Sequence, residues 1–233
     1  MNSVKALFFD VFGTLADWRN GVARESEKVL APLGYKLDWL AFADAWRNEY
    51  QVGMEEVRAG RQPFAKLDII HRGNLDRILP RFGIKAEEAV LKNLNLAWHR
   101  IDAWPDVPAA LARLKQKFIL APVSNGNISM MVALARKNAF PWDAILGGEV
   151  AHDYKPKPRV YLAACEALDL EPSACMMVAA HSYDLSAAAA LGLGTAHVAR
   201  PQEAPGKGEA APSIPVDVAG QSLDEIADKL GAA

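Results

Sequence analysis

Five short apolar runs, each stopped by polar or turn-forming residues, limit what this chain can fold into. Ala6 to Phe9, Phe118 to Val123, Ala144 to Leu146, Cys175 to Ala180 and Thr195 to Val198 lack the alternation of a half-exposed strand. They read as strands buried on both faces, with Thr195 to Val198 the last main one. Helical stretches separate the later runs at Val107 to Lys115, Ile128 to Asn138 and the alanine-rich Leu185 to Leu191. Strand and helix in alternation imply a parallel sheet with right-handed crossovers, covered on both sides.

Between the first strand and about Arg100 the pattern changes to four segments of helical period, Gly21 to Leu33, Asp38 to Ala59, Pro63 to Phe82 and Ala86 to Arg100. Gly34, Gly60 and Gly83 stand where helices commonly end. Four helices with short connections make an antiparallel bundle. The expected fold is therefore α/β: a doubly wound parallel sheet (Rossmann-like core) formed by residues 1–16 and 101–233, with an inserted four-helix cap domain over residues 17–100. Trp39, Phe42, Trp46 and Tyr50 recur at helical spacing along one cap face, with Arg47 and Met54 beside it. Trp39 and Phe42 are expected to be core.

With 26 basic and 28 acidic side chains, a net charge of -2 and no long basic run, the chain shows no surface for nucleic acid or an anionic membrane. A small-molecule substrate fits better. The amino-terminal stretch lacks the pattern of a signal peptide, and no apolar run is long enough to span a membrane, so a cytoplasmic protein is expected. Cys165 and Cys175 lie among apolar neighbours and read as buried thiols without chemistry. Residues Arg200 to Pro215, rich in Pro, Glu, Gly and Lys, read as a surface loop without packing signals, and Ser222 followed by Glu225 as the start of a closing helix.

Asp10 stands at the carboxyl end of the first strand, where open α/β sheets bind ligands. On that evidence alone it could equally cap a loop. The string FFDVFGTL around it, however, resembles the first motif of the haloacid dehalogenase superfamily, whose members use this Asp as a covalent nucleophile. The superfamily's phosphatases carry a general acid two positions later. Here that position is Phe12, which cannot move a proton, so the resemblance implies a leaving group that needs no protonation, such as halide.

Further strings resemble the (S)-2-haloacid dehalogenase (type II) branch. Trp46-Arg47 followed by Tyr50 matches a cap pair whose Arg faces the nucleophile, and a guanidinium can grip a carboxylate or a departing halide. Ser124-Asn125-Gly126 matches the second motif, and YKPxPRVY, from Tyr154 to Tyr161, supplies Lys155 beside Asp10. Tyr161 reads either as support for the site or as an ordinary half-buried helix residue, while Lys157 and Arg159 read as solvated. Where phosphatases place two magnesium-binding acids, this chain has His181 and Asp184. Losing one acid while keeping Lys155 nearby argues against a magnesium site. Many relatives have Asn at position 181; the resemblance implies that Asp184, with His181 beside it when neutral, orients the hydrolytic water, and His181 is expected to titrate near neutral pH.

The resemblance thus implies a metal-free, cofactor-free hydrolase that converts short (S)-2-haloalkanoic acids to (R)-2-hydroxyalkanoic acids. Asp10, Thr14, Arg47, Ser124, Lys155 and Asp184 would be catalytic, with Phe12, Gly13, Asn125, Tyr161 and His181 also lining the site. Backbone N–H groups from Phe12 to Thr14 would help hold the substrate carboxylate. A magnesium-dependent phosphatase or phosphonate hydrolase on the same fold is the alternative, and a non-catalytic binding protein a more distant one. Self-association into a homodimer is left open.

Overall fold

The computed structural model describes residues 4–206 and 208–232. Six parallel strands form one sheet in the order β3-β2-β1-β4-β5-β6. They are β1 (Ala6–Phe9), β2 (Ile119–Ser124), β3 (Leu146–Gly147), β4 (Cys175–Ala179), β5 (Gly194–Val198) and β6 (Val218–Gly220). The last is too short and too weakly apolar to stand out in the sequence.

In β1, Leu7 and Phe9 enter one apolar cluster, while Ala6 and Phe8 enter another on the opposite face. This period of two makes every residue of the run apolar, because neither face meets water. The first face is covered by α6 (Val107–Leu114), α7 (Ile128–Asn138) and α11 (Leu223–Lys229), through side chains such as Leu111, Met130 and Ile226. The second is covered by α9 (Pro158–Glu166) and α10 (Ser182–Ala189), and a single-turn α8 (Gly148–Ala151) follows β3. The chain starts at the centre of the sheet, adds β2 and β3 on one side, then returns to add β4, β5 and β6 on the other. The carboxyl ends of β1 and β4 therefore flank a reversal of winding, where a crevice opens.

Helices α1 (Trp18–Leu30), α2 (Trp39–Asn48), α3 (Tyr50–Arg58), α4 (Leu67–Ile78) and α5 (Glu88–Asn95) fill the interval between β1 and α6. The side chains of Asp17 and Asp38 accept from Asn20 N and Ala41 N, satisfying N–H groups that the first turns of α1 and α2 leave without helical partners. The second expected segment is two helices, because Glu49 N bonds back to Trp46 O at 3.3 Å and tightens the chain there. Phe42, Trp46, Tyr50 and Met54 are buried as expected, whereas Trp39 is only half-buried.

The largest departure lies after β5. The stretch from Arg200, expected to be a surface loop without packing, is a strap across the core, and Lys207 within it falls outside the described residues. Arg200, Glu203 and Ala204 are buried. Arg200 donates to Thr14 O and to Asp106 Oδ2, each at 2.9 Å, and Glu209 accepts from Ser182 N at 2.9 Å. Composition hid this because the strap docks through a few long polar side chains and not through an apolar face. Ser222 caps α11 through Glu225 N at 3.2 Å, and Glu225 in return accepts from Gln221 N at 2.7 Å.

Candidate active site

The ladder of β1 continues one residue beyond the strand, with Asp10 N donating to Val178 O at 3.0 Å, and so delivers the Asp10 side chain to the sheet's carboxyl edge. A tight turn follows in which Leu15 N and Ala16 N both bond to Val11 O. Gly13 permits it with a φ of 87°, and a Cβ there would lie 2.1 Å from Glu203 Oε1. Position 13 thus requires glycine on two counts. Gly13 N donates to Ala16 O at 2.9 Å, so of the Phe12 to Thr14 N–H groups expected to bind substrate, this one is already engaged.

The Asp10 carboxylate is held from three directions. Lys155 Nζ donates to Oδ1 at 2.9 Å, and the Thr14 hydroxyl donates to Oδ2 at 2.7 Å. Thr14 Oγ1 is fixed in turn by Ala180 N at 2.9 Å. His181 Nδ1 lies 3.2 Å from Oδ2, a charge contact whose geometry falls short of a hydrogen bond. Burial by itself would raise the Asp10 carboxyl, but Lys155 and His181 outweigh it and hold the group well below the usual range. Asp10 is a buried, ionised carboxylate.

Lys155 also reaches Asp184 Oδ2 at 2.5 Å, and the Tyr161 hydroxyl donates to Asp184 Oδ1. Tyr161 is fully buried, so it belongs to the site's frame. Burial disfavours the Lys155 charge, yet the two carboxylates more than reverse that and hold it protonated. Burial pushes Asp184 above its usual range despite Lys155, and the Asp10 charge adds to the rise.

The ring of His181 is clasped between Asp10 and Glu203, whose Oε2 lies 2.9 Å from Nε2, while Trp18 Nε1 donates to Glu203 Oε1 at 2.9 Å. Burial favours the neutral imidazole, but the two carboxylates win and push the ring up to about 10. The expectation of a titration near neutral pH is therefore corrected: the ring is an imidazolium there. Glu203, held below its usual range by His181 despite burial, escaped the sequence reading because nothing local marks it. The one hint was indirect, since a histidine placed beside a nucleophilic Asp calls for a second carboxylate.

Arg47, Trp18, Tyr50, His181, Tyr183 and Glu203 line a cavity of about 460 Å³ beside this cluster. The Arg47 guanidinium sits 4.0 Å from the Tyr50 ring centroid and 5.2 Å from that of Trp18, and its buried Nη1 has no hydrogen-bond partner among the described residues. Three carboxylates (Asp10, Asp184, Glu203) thus meet three cations (Lys155, His181, Arg47), and Arg47 is the cation packed on aromatic faces. Ser124 Oγ accepts from Gly126 N at 3.0 Å, which leaves its hydroxyl proton to donate. Asn125 Oδ1 accepts from Lys155 N at 2.8 Å, which leaves its NH2 end as the donor. Phe12 packs edge-on against Trp98 with centroids 5.7 Å apart, so the position two residues after Asp10 is apolar.

For a divalent cation the donor set is poor. Lys155 Nζ already stands between Asp10 and Asp184, and no group of three or more His, Cys, Asp or Glu suited to an ion occurs among the described residues. Cys165 and Cys175 are buried free thiols away from the site. No helix among the described residues is long and apolar enough to cross a membrane.

Comparison with known proteins agrees with this geometry. The family model for haloacid dehalogenase-like hydrolases matches residues 4–192. (S)-2-haloacid dehalogenase 1 of Pseudomonas sp. (strain CBS-3) is 31% identical over 87% of this chain and 89% of its own length. The 4A enzyme of Burkholderia cepacia is 28% identical over 86% and 85%. Among solved structures, a defluorinating L-2-haloacid dehalogenase superposes with a TM-score of 0.95 at 39% identity, covering 98% of this chain and 96% of its own. A second L-2-haloacid dehalogenase gives 0.94 at 40%, covering 99% and 100%. With Asp10 at the carboxyl end of β1, a helical cap and a buried Asp-Lys-Asp cluster, the chain belongs to the haloacid dehalogenase-like hydrolases, in the branch of the (S)-2-haloacid dehalogenases.

Proposed function

We propose that the protein hydrolyses short (S)-2-haloalkanoic acids to (R)-2-hydroxyalkanoic acids and halide through an ester of Asp10. The observation that carries this reading is a nucleophile kept ionised by Lys155 and flanked by the apolar ring of Phe12, where acid catalysis of a leaving group would need a proton donor. The Asp10 carboxylate attacks C2 from the side opposite the halogen, the C–O bond forms as the carbon–halogen bond breaks, and the carbon inverts. Arg47 and the Asn125 NH2 receive the halide. The Ser124 hydroxyl, with the N–H groups of Phe12 and Thr14, holds the substrate carboxylate, and enclosure by the cap aligns the reacting atoms.

Ester formation removes the Asp10 charge, one of the two that keep His181 protonated. The ring then releases its Nδ1 proton to solvent while Nε2 stays paired with Glu203. Water attacks the Asp10 carbonyl carbon as Nδ1 takes one of its protons, and the bond from that carbon to the substrate oxygen breaks. The hydroxy acid leaves with the other proton and the Asp10 carboxylate is restored. Asp184, bound to Lys155 and Tyr161, keeps Lys155 in place during the step. A cytoplasmic location suits its two free buried thiols.

The test is halide release from (S)- and (R)-2-chloropropionate with EDTA present, beside hydrolysis of p-nitrophenyl phosphate with magnesium. Release from the (S) enantiomer alone, unaffected by EDTA, supports the reading. Magnesium-dependent phosphate release without halide overturns it in favour of the phosphatase alternative.

A further inference from the structure

We infer that Asp68, a cap residue outside the cavity that Arg47 lines, is a positioning residue that sets the grip on the substrate carboxylate by holding the Ser124–Asn127 loop from the cap side. The inference rests on the dehalogenase reading and extends it to a residue no motif singles out. Its starting point is Asn127, the fully buried residue directly after Gly126. Asn127 Nδ2 donates to Asp68 Oδ2 at 2.9 Å, and Asp68 N donates to Asn127 Oδ1 at 3.2 Å. The pair is reciprocal and crosses from cap to core. Its second bond satisfies an N–H group in the first turn of α4 that has no partner within the helix.

Asp68 is itself held. His99 Nε2 lies 2.9 Å from its Oδ1, and Asn95 Nδ2 donates to its carbonyl oxygen at 2.9 Å. Neighbouring residues repeat the docking: the Tyr154 hydroxyl donates to Ala65 O at 2.5 Å, and Lys66 pairs with Glu149 at 2.7 Å. The Ser124–Asn127 loop is held within the core by Gly126 N on Ser124, by Lys155 N on Asn125 and by Asn127 Nδ2 on Ser129 Oγ at 2.8 Å. The reciprocal pair with Asp68 is added from the cap, which makes the cap part of the frame that aims Ser124.

The kinetic signature follows from the chemistry. The substrate carboxylate carries the same charge before and during displacement at C2, so its grip is equally strong in ground and transition states. Loosening that grip raises KM and spares kcat, because Asn125, which receives the halide, keeps its own bond from Lys155 N. A role in stability alone has no such preference.

The experiment is steady-state halide release from (S)-2-chloropropionate, with melting temperature measured in parallel. Asp68→Ala is expected to raise KM by about tenfold while kcat stays within about threefold, and Asp68→Asn, which keeps an acceptor for Asn127 Nδ2, to return KM to within about threefold of the parent. The same weakening should appear as a higher Kd for (S)-2-chloropropionate when Asp68→Ala is added to Asp10→Asn. If Asp68→Ala does not fold, Asn127→Ser breaks the pair from the core side and must meet the same KM criterion. An active parent whose KM ignores these changes, or one in which kcat falls and Asp68→Asn fails to rescue KM, overturns the inference alone. A parent that releases no halide overturns the dehalogenase reading and this inference with it.

Discussion

Lys155 Nζ stands 2.9 Å from Oδ1 of Asp10, with both side chains almost closed off from solvent. Their separation matters less than the company they keep, because the same ammonium also neutralises Asp184. Removing its charge leaves two buried carboxylates facing each other. Lys155→Met is therefore expected to abolish halide release at neutral pH and to destabilise the fold by about 3–5 kcal/mol, the usual consequence of orphaning a buried charge. Urea unfolding checks it, and a variant as stable as the parent would show that the carboxylates simply take up protons.

Asp10→Asn should eliminate turnover, since a neutral amide is a far poorer nucleophile and no other residue can form the ester. A single turnover of the parent in oxygen-18 water should place the label in Asp10 and leave the first product unlabelled. Label found directly in the hydroxy acid would mean that water, and not Asp10, attacks C2.

Arg47 is held by the faces of Tyr50 and Trp18, which suit a planar guanidinium better than a compact ammonium. Arg47→Lys should lower kcat by about a hundredfold or more with little change in melting temperature, because the loss falls on halide capture. Early melting together with normal kcat would assign Arg47 to cap packing instead.

The sign of the His181 effect follows from its direction. A ring raised from 6.5 to about 10 on folding contributes stability that is complete below its unfolded value and fades as pH climbs through the folded one. The melting-temperature gap between the parent and His181→Asn should therefore be widest near pH 6 and shrink as pH passes about 10. A gap that closes between about pH 5 and 7 would mean that the ring is neutral in the resting enzyme. In the ester, where the Asp10 charge is gone, the ring loses that support, so acidification should still slow hydrolysis of the intermediate.

Most of the framework was legible because it follows from periodicity. Double burial makes β1, β2 and β4 uninterrupted apolar runs, and the chain's return to such runs after Arg100 marks the end of the helical insert. Asp10, Thr14, Lys155, Tyr161, Asp184 and His181 lie close in space because several sit at carboxyl ends of neighbouring strands, which topology alone can anticipate. Glu203, Arg200 and Asp68 were not legible. Each acts through one or two hydrogen bonds to a partner distant in sequence, and a lone polar side chain leaves no period to read. His181 was found in place but misjudged in charge, because its partner Glu203 was the missing piece.

The strap carries a consequence for how the protein is made. Arg200 bonds to Thr14 O across a sequence separation of 186 residues, and Glu203 reaches Trp18 across 185. During synthesis the turn after Asp10 therefore leaves the ribosome long before the strap that supports it. Contacts of such span form slowly, because the entropy of closing a long loop precedes any gain from the contact. A chain released before Glu203 has Asp10, Lys155 and Asp184 in sequence, yet His181 lacks its outer carboxylate. Onset of activity should then await emergence of the strap, so that products cut short before Glu203 stay chemically silent.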